Sequence, residues 1–127
     1  MGKARVNRPG SRKVLVVEDD ALIAMLLEDM LAELGFEVVG PATRLRGALE
    51  LAERQSFDIA ILDVHLGSEQ SFPVADVLRL RGIPFIFATG YGADGLNAGY
   101  RQTVTLQKPF ESRQLESAIS RALVQRG

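Results

Sequence analysis

Ile59-Ala60-Ile61-Leu62-Asp63 is a run of four apolar residues closed by one carboxylate. So short and uniformly apolar a run reads as a buried strand. Outward from it, similar runs recur at Val14–Val17, Glu37–Val39, Pro84–Ala88 and Thr103–Leu106. Longer stretches of helical period separate them. That alternation predicts an α/β domain in which five parallel strands are joined by crossover helices.

The helices have their own signals. Ile23, Leu26, Leu27, Met30 and Leu34 recur at helical spacing, so this stripe is expected to face inward, with Gly35 just past the helix end. Thr43 is placed to cap a second helix whose inner face would be Leu45, Ala48, Leu49 and Ala52. Pro73 suits the first turn of a third, with Val74, Val77 and Leu78 inward, and Gly82 before Pro84 ends it. Leu115, Ala118, Ile119, Ala122 and Leu123 mark one side of the last helix, beyond a break at Pro109. Gly90, Gly92, Gly95 and Gly99 fall between the fourth and fifth strands. Each glycine inside a helix costs about 1 kcal/mol relative to alanine, so the fourth of five expected helices is weak.

The chain has 127 residues, 46% of them apolar and 24% charged, with a formal net charge of −1. That suffices for one globular domain without disulfides or a structural metal. The absence of cysteine excludes a disulfide scaffold, a thiolate zinc site and a Cys nucleophile. His65 is the only histidine, which excludes schemes needing two imidazoles. The longest strictly apolar run, Ala21–Leu27, is far below the ~20 residues of a membrane span, and Val14–Val17 is too short for a secretory signal, so a cytoplasmic protein is expected. Residues 1–12 read as a flexible basic tail and 13–127 as the domain. From residue 14 onward ten basic residues face sixteen acidic ones, an unfavourable balance for binding a nucleic-acid backbone. Neither nucleic acid nor a membrane is expected as a partner.

In an open parallel sheet, functional groups gather beyond the carboxyl ends of the strands. Here those ends lead into Glu18, Asp19 and Asp20, into Asp63, into Thr89 and into Lys108. Crowded carboxylates repel, and a hard divalent cation such as Mg²⁺ relieves the repulsion. A carboxylate, a metal, an ammonium and a hydroxyl are the parts that phosphoryl transfer requires. Asp63, at the end of the fully apolar central strand, is the natural nucleophile. Asp20 is expected to act as a first-turn acid at the helix N-terminus.

Four segments in order, Val14-Leu15-Val16-Val17-Glu18-Asp19-Asp20, Ile61-Leu62-Asp63, Ala88-Thr89-Gly90 and Lys108-Pro109-Phe110, resemble the motif set of bacterial two-component response-regulator receiver domains. The resemblance spans Lys13 to about Arg126 and implies the flavodoxin-like receiver fold, a doubly wound sheet of strand order 2-1-3-4-5 flanked by five helices. It makes Asp63 the acceptor of phosphate from a sensor histidine kinase or phosphotransfer protein. It also implies that Asp19 and Asp63 bind Mg²⁺, Glu18 does so through water, and the backbone carbonyl of His65 is a further ligand. Thr89 and Lys108 would each hold a phosphoryl oxygen. Phe85-Ile86-Phe87-Ala88-Thr89-Gly90-Tyr91 is similar to the segment that names the FATGUY receivers, a subfamily of stand-alone receivers associated with HWE-type histidine kinases. The Lys108–Pro109 bond would then be cis.

Two departures from the pattern stand out. The usual aromatic switch residue, three positions before the lysine, is Thr105. Tyr91, in a glycine-flanked loop two residues after Thr89, is expected to report phosphorylation instead. The weak fourth helix adjoins the family's usual output surface, made with the fifth strand and last helix, and this segment is expected to gain order on phosphorylation. The resemblance thus implies a single-domain response regulator that catalyses only its own phosphorylation and dephosphorylation, and that signals to a downstream protein by contact or serves as a phosphate sink. A haloacid-dehalogenase-like phosphatase would want an Asp two residues after Asp63, where this chain has His65. A non-phosphorylated binding module would not need the full set of Glu18, Asp19, Asp63, Thr89 and Lys108. A flavodoxin would need a phosphate-cradling loop where Glu18-Asp19-Asp20 stand.

Overall fold

The computed structural model describes residues 11–91 and 95–125. Five strands, β1 (Lys13–Val17), β2 (Glu37–Ala42), β3 (Ile59–Asp63), β4 (Phe85–Thr89) and β5 (Thr105–Gln107), form one parallel sheet in the order β2-β1-β3-β4-β5. This is the expected order. Among the described residues four α-helices flank it: α1 (Ala21–Glu33), α2 (Leu45–Arg54), α3 (Phe72–Arg81) and α4 (Ser112–Gln125). A two-residue antiparallel ribbon, His65–Leu66 with Glu69–Gln70, stands between β3 and α3.

All five residues of β3 are buried because helices cover both faces of the sheet. Alternate residues feed separate cores. Val14, Val16, Ile59 and Ile61 pack with Leu27 and Leu31 of α1 and Leu115 and Ile119 of α4. Leu15, Val17, Ala60 and Leu62 pack with Ala48 and Ala52 of α2 and Val74 and Leu78 of α3. The two-residue period of the strands thus assigns each helix pair its side.

Several expectations are corrected. In α1 the buried residues are Ala24, Leu27 and Leu31, whereas Leu26 is 50% exposed alongside Leu22 and Met25. The helix opens with seven consecutive apolar residues, so period alone cannot choose its inner face. Small Ala24 lets the helix settle close to the sheet. Asp20 is the N-cap of α1 rather than a first-turn acid, its side chain accepting from the N–H groups of Leu22 and Ile23 at 3.0 and 3.2 Å. Thr43 does not cap α2. That position falls to Arg44, without a side-chain bond, because β2 runs on to Ala42. A register shift in β2 occurs at Gly40-Pro41, where Gly40 has φ +96° and a Cβ would stand 2.9 Å from the Ala42 nitrogen and 3.1 Å from the Val16 carbonyl oxygen.

Five helices were expected, and among the described residues no α-helix lies between β4 and β5, where Ala98–Tyr100 forms a 3₁₀ turn. Side-chain packing adds to the short backbone bonds of this segment, from the Tyr100 N–H to the Asn97 carbonyl at 2.9 Å and from the Thr103 N–H to the Tyr100 carbonyl at 3.0 Å. The buried Tyr100 ring lies against Phe72, Phe85 and Phe87 at centroid distances of 5.6–5.9 Å. Its hydroxyl donates to the Asp76 carboxylate. The Arg79 guanidinium lies 4.0 Å from the ring centroid and donates to the Gly99 carbonyl at 3.0 Å. β5 begins at Thr105, two residues later than expected. The expected basic tail, apart from Ser11 and Arg12, lies outside the described residues. Among the described residues no helix is long and apolar enough to cross a membrane.

Candidate functional site

The sheet order brings the ends of β1, β3, β4 and β5 to one rim. The backbone N–H of Glu18 donates to the Ala42 carbonyl at 2.9 Å, which fixes the exit of β1. Lys108 leaves β5 with its N–H bonded to the Thr89 carbonyl at 2.9 Å, and the Lys108–Pro109 peptide is cis as expected. The lysine then turns back across the rim. Its Nζ lies 2.8 Å from Glu18 Oε1 and 3.2 Å from Asp63 Oδ2.

Glu18 and Asp63 share Lys108, and Glu18 and Asp19 each also accept from a backbone N–H. The other Glu18 oxygen accepts from the Asp20 N–H at 3.1 Å, and Asp19 Oδ2 accepts from the Gly67 N–H at 2.7 Å. Glu18 and Asp63 are buried and Asp19 is exposed. One oxygen from each of the three lies within 4.8 Å of the others. Buried Thr89 accepts the Tyr91 N–H on its hydroxyl at 3.0 Å, which leaves the O–H free to donate elsewhere. The exposed rings of Tyr91 and His65 meet edge to face, with centroids 6.1 Å apart. Thr105 pairs with Phe87 at the start of β5, half-buried.

Three carboxylates face one ammonium. Burial pushes the Glu18 carboxyl up to about 7, with Asp63 adding to the rise and the bonds from Lys108 and the Asp20 N–H opposing it. Burial works against the Lys108 ammonium too, but the bond to Glu18 and the charge of Asp63 outweigh it and hold this lysine above its ordinary value. The rim therefore carries unbalanced negative charge. Its donors are all oxygen, the set a hard divalent cation takes, so these residues fit Mg²⁺.

Sequence reasoning missed the Gly67 contact to Asp19 and the support of Glu18 by the Asp20 N–H. The glycine in Leu66-Gly67-Ser68-Glu69 was the available signal for the first. Nothing local marked the second. It also missed an apolar groove of about 340 Å³ beside the rim, lined by Ile23, Leu26, Leu27 and Met30 of α1 and by Lys108, Pro109 and Phe110.

A doubly wound sheet with two carboxylate-bearing strand ends facing a lysine from the edge strand defines a domain of the receiver class. The response regulator receiver domain profile matches residues 14–120, and the chain belongs to that family. SdrG from Sphingomonas melonis Fr1, known from a solution structure, is 44% identical with a TM-score of 0.80, over 90% of this chain and 97% of that one. The transcriptional regulatory protein PdtaR of Mycobacterium tuberculosis is 35% identical over 88% of this chain and 57% of its own length. The receiver domain of the sensor histidine kinase PA1611 from Pseudomonas aeruginosa PAO1, with a magnesium ion coordinated in its active-site cleft, is 25% identical with a TM-score of 0.75, over 91% and 99% of the two chains. The chain spans about half the length of the curated relatives it matches. Receiver domains are signalling modules, generally non-enzymatic, that bind Mg²⁺ in an acidic site and interact with histidine kinases or phosphotransfer proteins.

Proposed function

We propose that this domain accepts a phosphoryl group on Asp63 from a histidine kinase or phosphotransfer protein and passes the change on by contact with a downstream protein. The observation that carries this reading is Lys108 Nζ at 3.2 Å from Asp63 Oδ2, within a cluster of three carboxylates. An Asp63 oxygen attacks phosphorus, the bond to the donor imidazole nitrogen breaks, and that nitrogen keeps the electron pair. A bound Mg²⁺ supplies charge against the phosphoryl oxygens and screens them from the carboxylates. Asp19 and Asp63 would hold it directly, Glu18 would do so through water, and the backbone carbonyl of His65 would be the further protein ligand. Lys108 pairs with one phosphoryl oxygen and the free Thr89 O–H donates to another. The domain catalyses only its own phosphorylation and dephosphorylation.

The donor protein has a place to dock. Leu26 of α1 lines the apolar groove that runs to Lys108 and Pro109, and Leu22 and Met25 are exposed on the same helix. An apolar helix face of a kinase or phosphotransfer protein laid there brings its histidine to the rim. Similarity to FATGUY receivers favours an HWE-type kinase. Tyr91 reports the phosphorylated state in place of an aromatic residue at Thr105, and the output face comprises the 3₁₀ turn, β5 and α4. A role as phosphate sink uses the same chemistry.

The test is incubation with acetyl phosphate, with Mg²⁺ or EDTA, followed by intact mass. Wild type gains one phosphoryl mass only with Mg²⁺, and Asp63→Asn gains none. Equal labelling of Asp63→Asn contradicts the reading, and turnover of small phosphate esters replaces it with a phosphatase.

A further inference from the structure

We propose that Gly67 is a positioning residue for the divalent-ion site, holding Asp19 in its ligand orientation through a backbone N–H. The inference rests on the reading that the acidic rim binds Mg²⁺. In the ribbon after β3, Leu66 pairs with Glu69 and His65 with Gln70, leaving Gly67-Ser68 as a two-residue loop. Gly67 has φ +64°, the left-handed conformation that the first position of a primed hairpin turn takes. In that turn its N–H meets Asp19 Oδ2 at 2.7 Å, across 48 positions of sequence.

Asp19 has the least support of the three carboxylates. Glu18 and Asp63 are buried and paired with Lys108, whereas Asp19 is exposed and has only the Gly67 bond among the described residues. An exposed carboxylate on a loop otherwise moves among rotamers, and an ion binding it bears the entropy of fixing it. The Gly67 N–H removes that freedom and leaves the second oxygen unclaimed. The ribbon is a firm base because Leu66, the residue before Gly67, is buried in the core that β1, β3, α2 and α3 share. The donor is thus one residue from an anchored side chain, and the ribbon that reaches Asp19 also carries the His65 carbonyl.

Substitution at this position isolates backbone conformation, because a Cβ on Gly67 would meet nothing within 4 Å. Asparagine tolerates the left-handed region and keeps the N–H; valine resists the region; proline cannot enter it and has no N–H. Mg²⁺ affinity of wild type, Gly67→Asn, Gly67→Val and Gly67→Pro is measured by calorimetric titration without any phosphodonor, with thermal unfolding in EDTA as the control on folding. The expected result is an affinity loss of about tenfold in Gly67→Pro and about fivefold in Gly67→Val, with Gly67→Asn within about twofold of wild type. Gly67→Val carries the test if Gly67→Pro unfolds. Wild-type affinity in the folded Gly67→Pro or Gly67→Val overturns the inference and leaves the reading of the rim intact. A wild type that binds no Mg²⁺ overturns both.

Discussion

Lys108 Nζ sits closer to Glu18, at 2.8 Å, than to Asp63, at 3.2 Å, so one ammonium spans the carboxyl ends of β1 and β3 from the end of β5. Glu18 is the more buried partner and gains most from the bond. The lysine therefore has two roles at the rim: it holds Asp63 in reach and makes a buried Glu18 tolerable.

Lys108→Met tests that pairing. Without the ammonium, Glu18 and Asp63 are close carboxylates with no counter-charge, and the loss is expected to cost about 1–3 kcal/mol in urea unfolding at neutral pH in EDTA. Much of that cost should disappear in Lys108→Met/Glu18→Gln. Equal stability of Lys108→Met and wild type contradicts the pairing.

Gly40→Ala places a Cβ 2.9 Å from a backbone nitrogen at φ +96°, next to the strand end whose Ala42 carbonyl receives the Glu18 N–H. The left-handed conformation alone costs about 1–2 kcal/mol for an L side chain, and the clash adds to it. Chemical denaturation should show a loss above about 2 kcal/mol, and a loss below 0.5 kcal/mol, roughly the ordinary surface range, contradicts the tight bulge.

Tyr100→Ala empties a site among Phe72, Phe85 and Phe87 and should cost about 3–5 kcal/mol, whereas Tyr100→Phe loses only the bond to Asp76, about 1 kcal/mol. Burial, with the Asp76 bond adding to it, pushes the Tyr100 hydroxyl up to about 12 from 10.0. The folded state keeps this proton more tightly than the unfolded chain. The resulting stability is complete below pH 10 and is lost as pH rises through about 12. In a Tyr91→Phe background, absorbance at alkaline pH should show Tyr100 ionising late; titration near 10 while the protein stays folded contradicts the burial.

Tyr91 is 71% exposed, so Tyr91→Ala should leave thermal unfolding within about 1 °C of wild type. Its N–H bond to the Thr89 hydroxyl links it to the group that would turn toward a phosphoryl oxygen. Addition of beryllofluoride and Mg²⁺ should raise amide protection across residues 95–104 in wild type and much less in Tyr91→Ala. Equal gains in both proteins remove Tyr91 from the switch.

Sequence exposed those features that rest on local pattern. Ile59-Ala60-Ile61-Leu62 marked the central strand because burial on both faces leaves no polar alternation to confuse the reading, and Asp63, Asp19, Glu18 and Lys108 were visible as strand-end residues. The details set by tertiary contact were not visible. The inner face of α1 could not be read from a helix apolar nearly all round. The Tyr100 packing depends on partners in α3 and β4, and the Gly67 bond to Asp19 closes over 48 residues. The four glycines correctly signalled a weak fourth helix, but not that an aromatic cluster would help hold the segment.

The central claim is that the reacting group at the rim is the Asp63 carboxylate. Borohydride reduces an acyl phosphate to the alcohol, so protein treated with acetyl phosphate and Mg²⁺, then reduced and digested, should yield one peptide with homoserine in place of Asp63. Homoserine at position 19 or at any other acidic residue, or no conversion under conditions where intact mass shows phosphorylation, contradicts the account.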